Sequence, residues 1–341
     1  MTALDTALDP APIIDLMEGF RRSKAMFAAV SLGVFDLLGE GALPCEEVAA
    51  RLKTNPDATQ RLLEACVGMQ LLTLDAGKFA NSALGDAFLK SSSDRALTGY
   101  ILYSNDALYQ MWSHLEDAIR EGTPRWAQTF GWPAPIFEHF FSTPEKMRMF
   151  TLAMHGLGVS TSPAVVRAFD LSRFRTIADL GAASGHLVIA ACEAWPQLRG
   201  IVFDMEKILP MAREFVDRSS ARDRIALQAG DFFEGDLPHA DLYALGRILH
   251  DWPEEKMRLL LGRIFGALPT SGGLLIAEKQ LLEDRSGPVG AQVQSLNMLV
   301  CTEGKERSFS EYEALLKETG FARVEGKRTG KYLDAILAVK N

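Results

Sequence analysis

Seven short β-rich runs alternate with amphipathic helices in the carboxyl-terminal half of the chain, and this alternation leaves few folds open to it. The runs lie after Ser172, at residues 176–180, 200–204, 225–229, 242–245, 274–278, 322–327 and 335–339. Helical patterns lie between and beside them, at residues 186–195, 208–219, 254–268, 293–300 and 310–319. Strand and helix in alternation predict an open, mostly parallel α/β sheet covered on both faces. Ligands of such sheets bind beyond the carboxyl ends of the strands, so we expect the chemistry there.

The amino-terminal half has a different texture, because apolar residues recur at helical spacing from about residue 13 to residue 162. Within it, residues 44–52 and 57–71 predict two short helices. Residues 71–81 predict a hairpin that turns at Asp75-Ala76-Gly77. Helix, helix and hairpin in this order are typical of a winged helix.

Winged helices also occur in DNA-binding proteins, where the second helix enters the major groove. Here the second helix carries Asp57, Arg61 and Glu64. The whole chain has 36 Lys and Arg residues against 44 Asp and Glu residues, a net charge of −8. Because DNA phosphates require a basic face, this charge argues against nucleic-acid partners. It favours a structural or dimer-forming role for the winged helix.

The length of 341 residues fits about two domains, and the change of texture divides them at residues 1–165 and 166–341. No apolar run reaches the roughly 18 to 20 residues that span a bilayer, and the amino terminus lacks the pattern of a signal peptide. We therefore expect a cytoplasmic protein without a membrane segment. The four cysteines form no CxxC pair and the histidines show no ligand spacing, so we expect free buried thiols and no metal.

A loop of small residues follows the first strand of the α/β half and precedes a helix. Its sequence is Gly181-Ala182-Ala183-Ser184-Gly185. Small residues let the backbone approach a ligand closely, and the start of a helix offers free N–H groups. The dinucleotide fingerprint would need glycines at positions 183 and 186, where this chain has Ala183 and His186, so hydride chemistry is disfavoured. Taken alone, such a loop also serves tight packing of a helix on a sheet.

Two further strand ends carry acids that suit a nucleoside. Asp204 ends the second strand, where a carboxylate can accept hydrogen bonds from both hydroxyls of a ribose. Asp231 follows the third strand and precedes Phe232 and Phe233, which offer an acceptor and an aromatic face to an adenine. The alternative for these three is a strand-end turn with both rings in the core. Three strand ends converging on one nucleoside favour the functional interpretation.

Four segments of the chain carry a resemblance to a known family: 229–233 (Ala-Gly-Asp-Phe-Phe), 247–252 (Arg-Ile-Leu-His-Asp-Trp), 295–300 (Ser-Leu-Asn-Met-Leu-Val) and 302–307 (Thr-Glu-Gly-Lys-Glu-Arg). With them the chain resembles the two-domain S-adenosylmethionine-dependent small-molecule O-methyltransferases from about Ile13 to Lys340. The likeness is strongest to their acetylserotonin O-methyltransferase-like branch, and it extends to caffeate and chalcone-type relatives from plants. It implies a helical winged-helix dimerisation domain and a Rossmann-like class I methyltransferase domain with seven strands, the last one antiparallel.

The resemblance also implies a cofactor, S-adenosylmethionine, which leaves as S-adenosylhomocysteine, together with a small-molecule acceptor and a homodimer formed through the amino-terminal domain. Matched by position, the residues that would line the cofactor site are Gly181, Asp204, Asp231, Phe232, Arg247 and, from the helical domain, Trp126. Matched in the same way, His250 would be the general base with Glu278 and Glu306 flanking it, and the acceptor would face Asp251, Asn297 and Met298. The chain departs from the family's usual Gly-Gly-Gly-Thr-Gly loop, because Ala182 and Ala183 add two methyl groups there.

These residues permit methyl transfer to a hydroxyl group, which must lose its proton. Histidine suits that task because its ordinary pKa of about 6.5 leaves a neutral imidazole near cytoplasmic pH. We therefore expect His250 to deprotonate a hydroxyl oxygen. One alternative is S-methylation of a small methylthio acid to a sulfonium, as in dimethylsulfoniopropionate synthesis, where no base is required. A second alternative is a non-catalytic ligand-binding relative.

Overall fold

The computed structural model describes residues 8–131 and 141–341. Its contacts divide the chain into two compact units, Met1–Asp106 and Ala107–Asn341. The division predicted from sequence, between residues 165 and 166, falls inside the second unit. Val165 and Val166 are part of that unit's hydrophobic core, so the helix that ends there cannot be separated from it. The assignment of residues 107–165 to a dimerisation domain stays a prediction.

The first unit is mainly helical, and the structure contains the two predicted short helices and the hairpin in the predicted order. Its described helices are α1 (Ala11–Ser31), α2 (Val34–Leu38), α3 (Cys45–Leu52), α4 (Pro56–Gly68) and α5 (Thr98–Tyr103). The described strands are β1 (Leu43–Pro44), β2 (Leu72–Asp75) and β3 (Lys78–Asn81), paired antiparallel in the order β1-β3-β2. Ala76 and Gly77 both have positive φ, as a two-residue hairpin turn requires.

The second unit contains all seven strands predicted from sequence, each within one residue of its predicted ends. They are β4 (Thr176–Leu180), β5 (Arg199–Asp204), β6 (Ile225–Ala229), β7 (Leu242–Gly246), β8 (Gly273–Glu278), β9 (Arg323–Lys327) and β10 (Asp334–Val339). Within the described residues they form one sheet in the order β6-β5-β4-β7-β8-β10-β9. The strands β4 to β8 pair in parallel, and β10 is antiparallel to both of its neighbours. The predicted fold class, with an antiparallel last strand, is confirmed.

Helices cover both faces of this sheet. The helices described in the second unit are α6 (Tyr109–Trp112), α7 (Leu115–Glu121), α8 (Trp126–Phe130), α9 (Pro144–Val166), α10 (His186–Ala194), α11 (Leu209–Val216), α12 (Glu254–Ala267), α13 (Val289–Cys301) and α14 (Phe309–Thr319). Successive strand residues point to opposite faces. Ile177 therefore joins the core under α9, α10 and α11, whereas Ala178 and Leu180 join the core under α12 and α14.

The cysteines and helix α9 bear on the expected free thiols and on the expected lack of a membrane segment. All four cysteines lie in the described residues and are free and buried, as predicted. Among the described helices, α9 is long and apolar enough to cross a membrane by length and composition, although the sequence suggested no such segment. Core helices meet the same two criteria. The face of α9 that contains Thr161, Ser162 and Val165 is buried within the unit, and α9 packs on α10.

The packing of α9 on α10 predicts that Gly158→Ala destabilises the protein. A β-carbon at Gly158 would lie 2.3 Å from the ring of His186, so the added methyl group overpacks the interface. Overpacking of this kind costs about 1 to 3 kcal/mol, which denaturant unfolding measures as a lower free energy of unfolding. Gly262→Ala is the matched control, because nothing lies within 4 Å of its added β-carbon in helix α12. Gly262→Ala should raise the free energy of unfolding by roughly 0.5 to 1 kcal/mol. If both substitutions changed the free energy of unfolding equally, the packing argument would be wrong.

Candidate functional site

The carboxyl ends of the parallel strands gather most of the predicted site residues at one edge of the sheet. The predicted residues that end the strands β4 to β8, or lie within two residues of their ends, are Gly181, Asp204, Asp231, Arg247 and Glu278. The chain proceeds from β4 to β5 and β6 on one side, and then to β7 and β8 on the other. The point where the direction reverses, between β4 and β7, is where sheets of this kind bind ligands.

The loop after β4 is held in an unusual backbone conformation. Gly181, Ala183 and Gly185 have φ values of 70°, 50° and 77°, in the left-handed region. A β-carbon at Gly181 would lie 2.7 Å from Cδ1 of Ile248 and 3.2 Å from Cε1 of Phe232. Only glycine fits here, because the side chains of Ile248 and Phe232 already occupy the place of a β-carbon. The loop therefore presents bare backbone beside the ring of Phe232.

Asp204 connects this loop to the end of β5. Its Oδ2 accepts a hydrogen bond from the N–H of Ala183 at 2.8 Å, and its Oδ1 accepts one from the N–H of Met205 at 2.7 Å. Burial is the main reason that the pKa of Asp204 rises to about 6, and the neighbouring charge of Asp231 adds to it. Each carboxylate oxygen can accept a second hydrogen bond. The side chain can thus receive two neighbouring hydroxyl groups without releasing the loop.

Asp231 and the two phenylalanines form a strand-end turn, and one of the rings also borders the predicted ligand loop. Oδ1 of Asp231 accepts a hydrogen bond from the N–H of Phe233 at 2.8 Å, which is the strand-end turn. The rings of Phe232 and Phe233 pack 4.8 Å apart, partly buried against the core. Phe232 nevertheless reaches Gly181, so its ring borders the loop as well as the core.

His250 lies on a short 3₁₀ turn, Leu249–Asp251, just beyond β7. Its Nδ1 is 2.7 Å from Oε1 of Glu306 and 3.5 Å from Oε2 of Glu278, and all three side chains are buried. Its Nε2 is 3.7 Å from Oδ1 of Asp251. Because Nδ1 is at hydrogen-bond distance from a carboxylate and Nε2 is not, the proton of a neutral imidazole lies on Nδ1 and leaves Nε2 as the basic atom.

Glu278 also holds the backbone that carries this histidine. Its Oε1 accepts hydrogen bonds from the N–H groups of Ile248, Leu249 and His250, at 3.1, 2.9 and 3.4 Å. Glu278 ends β8, so the turn is fixed to the sheet. The side chain is fully buried.

The electrostatics of the cluster favour a proton on the histidine. Burial by itself would lower the pKa of His250, but the carboxylates of Glu278, Glu306 and Asp251 raise it to about 10. Burial raises the pKa of Glu278 to about 7. Among the described residues, Oε2 of Glu278 and Oε2 of Glu306 have no hydrogen-bond partner. The cluster is therefore a buried, acidic environment that stabilises an imidazolium.

The same three residues could also ligate a divalent cation by type and spacing, since one donor atom of each lies within 4.8 Å of the others. Sequence spacing did not suggest this group, because Glu278 and Glu306 are 28 and 56 residues from His250. However, a metal held about 2.0 to 2.2 Å from two ligands keeps those ligands roughly 3 Å or more apart. The 2.7 Å between Nδ1 and Oε1 is the distance of a charge-assisted hydrogen bond.

Three of the predicted residues lie around α13. Oδ1 of Asn297 accepts a hydrogen bond from the indole N–H of Trp112 at 2.9 Å. The indole N–H of Trp126 donates to the carbonyl oxygen of Cys301 at 2.8 Å. Met298 is buried on the same helix. These contacts join Trp126 to the end of α13, and its predicted role as a cover for the cofactor stays a prediction.

Sequence reasoning missed the contribution of α9 to this edge. Nδ1 of His155 is 2.8 Å from Oγ of Ser184, and Oγ of Ser162 is 2.9 Å from Nδ1 of His186. Nη1 of Arg247 is 3.2 Å from Sδ of Met154. Ser184 lies inside the loop and His186 directly follows it, which was the available signal. Nothing in the sequence indicates which residues of α9 would meet them.

Comparison with known proteins places both halves of the chain. Residues 112–322 match the family model of the O-methyltransferase domain, and residues 14–91 match that of the O-methyltransferase dimerisation domain. Acetylserotonin O-methyltransferase of Gallus gallus is 39% identical over 338 residues, which cover 97% of each chain. The enzyme of Bos taurus is 40% identical over 329 residues, which cover 94% of this chain and 95% of that one.

Solved structures agree with this placement. The crystal structure of human N-acetylserotonin methyltransferase in complex with SAM has a TM-score of 0.93 at 37% identity, covering 99% of this chain and 100% of that one. The structure of PigF with SAH has a TM-score of 0.87 at 29% identity, covering 98% and 100%. S-adenosylmethionine is thus the cofactor, as predicted, and the family's reaction requires no metal. Neither the thioether alternative nor the non-catalytic alternative is favoured.

The residues at the carboxyl ends of the strands, the two matched domains and the activity named for the relatives agree with one another. The chain belongs to the O-methyltransferase family, whose members transfer a methyl group from S-adenosylmethionine to a small molecule.

Proposed function

We propose that this methyltransferase uses His250 as a general base to deprotonate a hydroxyl group of its small-molecule acceptor. The observation that carries the proposal is the buried hydrogen bond between Nδ1 of His250 and Glu306, which leaves Nε2 as the basic atom. The names of the relatives make a hydroxyindole the first acceptor to test. Asp251, Asn297 and Met298 are the residues that we expect to face it.

The residues at the strand edge fit S-adenosylmethionine. The backbone of Gly181 carries no side chain and lies beside the ring of Phe232, and Asp204 can take two ribose hydroxyls. We propose that Gly181, Asp204, Asp231, Phe232 and Arg247 hold the cofactor, with Trp126 covering it. When bound, the cofactor supplies an electrophilic methyl group on a positively charged sulfur.

The protein's contribution is to hold the acceptor and to move one proton. Glu306 keeps the proton of His250 on Nδ1, so Nε2 can accept the proton of the hydroxyl group. The imidazolium that results is paired with Glu278 and Glu306 in a site of low dielectric, where such pairing is strong. A histidine pKa of about 10 is close to that of a phenolic hydroxyl, also about 10, so the proton transfer is nearly balanced.

We also propose a homodimer that forms through helix α1. Ile13, Leu16, Met17 and Phe20 share one face of α1 at helical spacing and are 49% or more exposed within the single chain. Leu16, Met17 and Phe20 lie in the segment that matches the dimerisation model, residues 14–91. Contiguous apolar surface of this kind marks an interaction site. We also propose that the enzyme is cytoplasmic and acts without a membrane. Its net charge of −8 supports the proposal that it has no nucleic-acid partner.

The base assignment predicts that His250→Ala loses about 10² to 10⁴ of its methylation rate, the usual contribution of a general base. Binding of S-adenosylmethionine should be retained. The measurement is transfer of labelled methyl groups to a panel of indolic, phenolic and methylthio-acid acceptors. His239→Ala is the matched control, because His239 is exposed. Full activity of His250→Ala with a hydroxyl acceptor would refute the assignment.

The raised pKa of His250 predicts a methylation rate that increases with pH above neutrality, because only the neutral imidazole can accept a proton. The increase should continue toward the pKa of about 10. Glu306→Gln removes one of the charges that raise this pKa, so its pH profile should shift to lower pH with the same acceptor. Glu303→Gln, at an exposed acid three residues earlier, serves as the control. Superimposable profiles for Glu306→Gln and the wild type would show that the charge cluster does not set the base.

The dimer proposal predicts that the double variant Leu16→Glu/Phe20→Glu is monomeric. Each substitution puts a charge in place of an apolar side chain. Burial of such a side chain contributes about 1.5 to 3 kcal/mol to the free energy of association. Light scattering after size exclusion should give a mass near the 37.5 kDa of one chain, against twice that for the wild type. Ile119→Glu, at another exposed apolar residue, should remain dimeric. A dimeric double variant would move the interface elsewhere.

A further inference from the structure

Helix α9 reaches the loop after β4 through two hydrogen bonds between histidine and serine side chains. His155 bonds Ser184 and Ser162 bonds His186, and each pair has one member on α9 and one in or beside the loop. We call these four residues the loop brace. The two pairs bond in opposite senses, because the helix supplies a histidine to one and a serine to the other.

The loop needs support of this kind because of its backbone. Ala183 has a φ of 50°, in the left-handed region, which is unfavourable for a residue with a β-carbon. Such conformations persist where the surroundings over-determine them. Asp204 holds the N–H of Ala183, and the next residue, Ser184, is fully buried with its hydroxyl on His155.

The brace is itself held in place from two sides. The ring of His155 stacks on Phe215 with ring centres 3.8 Å apart, and Phe215 lies on α11, the helix that follows β5 and Asp204. The ring of His186 occupies the space that Gly158 leaves on α9. Burial, with His155 and Arg247 nearby, lowers the pKa of His186 to about 3, so that ring is neutral.

We infer that the loop brace positions residues 183–186 for S-adenosylmethionine, with His155 and Ser162 acting as positioning residues through Ser184 and His186. The inference rests on the proposed role of this loop in holding the cofactor. In this arrangement the left-handed Ala183 is stable only while the brace and Asp204 hold it. The brace therefore affects cofactor affinity and leaves the acceptor's chemistry unchanged.

The test is calorimetric binding of S-adenosylmethionine together with steady-state kinetics. Ser184→Ala should raise the cofactor's Kd and KM by about 3- to 10-fold, the effect of one neutral hydrogen bond, with kcat at saturating cofactor unchanged. Ser184→Thr keeps the hydroxyl and should restore binding. His155→Phe keeps a ring to stack on Phe215, removes Nδ1 and should match Ser184→Ala. If Ser184→Ala does not fold, His155→Phe provides the same test.

A double-mutant comparison separates positioning from direct contact. Ala183→Gly removes the cost of the left-handed backbone, so adding Ser184→Ala to it should change Kd much less than it does in the wild type. An undiminished effect in the Ala183→Gly background would overturn the inference, because the Ser184 hydroxyl would then act directly. Ser160→Ala is the control on α9, since that hydroxyl bonds only Gly156 of its own helix in the described contacts.

Asp204→Ala distinguishes failure of this inference from failure of the proposed cofactor site. It should raise Kd by about 10- to 150-fold, the range for hydrogen bonds to a charged group. If Asp204→Ala weakens binding while Ser184→Ala and His155→Phe do not, the brace is refuted and the site stands. If none of the three changes Kd, the assignment of the cofactor to this edge is wrong as well.

Discussion

The active edge of this enzyme depends on the compensation of charge around one buried imidazole. A lone charge in a protein interior costs several kcal/mol, so it persists only when partners and hydrogen bonds offset that cost. His250 has Glu306 at hydrogen-bond distance and Glu278 and Asp251 close by. Because both flanking glutamates are buried, their attraction is not screened by solvent. The cluster can therefore store a proton away from water, as the proposed role of His250 as a general base requires.

The sheet supplies the precision that such a base requires. Glu278 ends a central strand and uses one oxygen to bind three successive N–H groups of the turn that carries His250. Its other oxygen lies 3.5 Å from Nδ1. One residue thus fixes both the backbone and the electrostatics of the proposed base. Because Glu278 ends a strand, the position of His250 is tied to the sheet.

The loop that we propose for the cofactor has a different requirement, because its backbone adopts a conformation that residues with a β-carbon do not favour. Ala183 is left-handed, and its N–H is tied to Asp204 at the end of the neighbouring strand. Ser184 and His186 are bonded to α9. Strained backbone at a binding site is stable when several contacts determine it together. The same edge therefore combines a proposed base held by the sheet with a loop held by both sheet and helix.

The residues whose place was predictable are those that end strands. Short β-rich runs that alternate with amphipathic helices located all seven strands of the second unit, and the carboxyl ends of parallel strands meet at one edge, so Gly181, Asp204 and Glu278 could be grouped without coordinates. The relation of Glu306 to Nδ1, the pairing of α9 with the loop and the unit boundary near residue 106 could not. They depend on contacts between side chains far apart in sequence, which follow from how helices and loops pack on the sheet. Periodicity specifies which face of an element is buried, but it does not specify which neighbour that face meets.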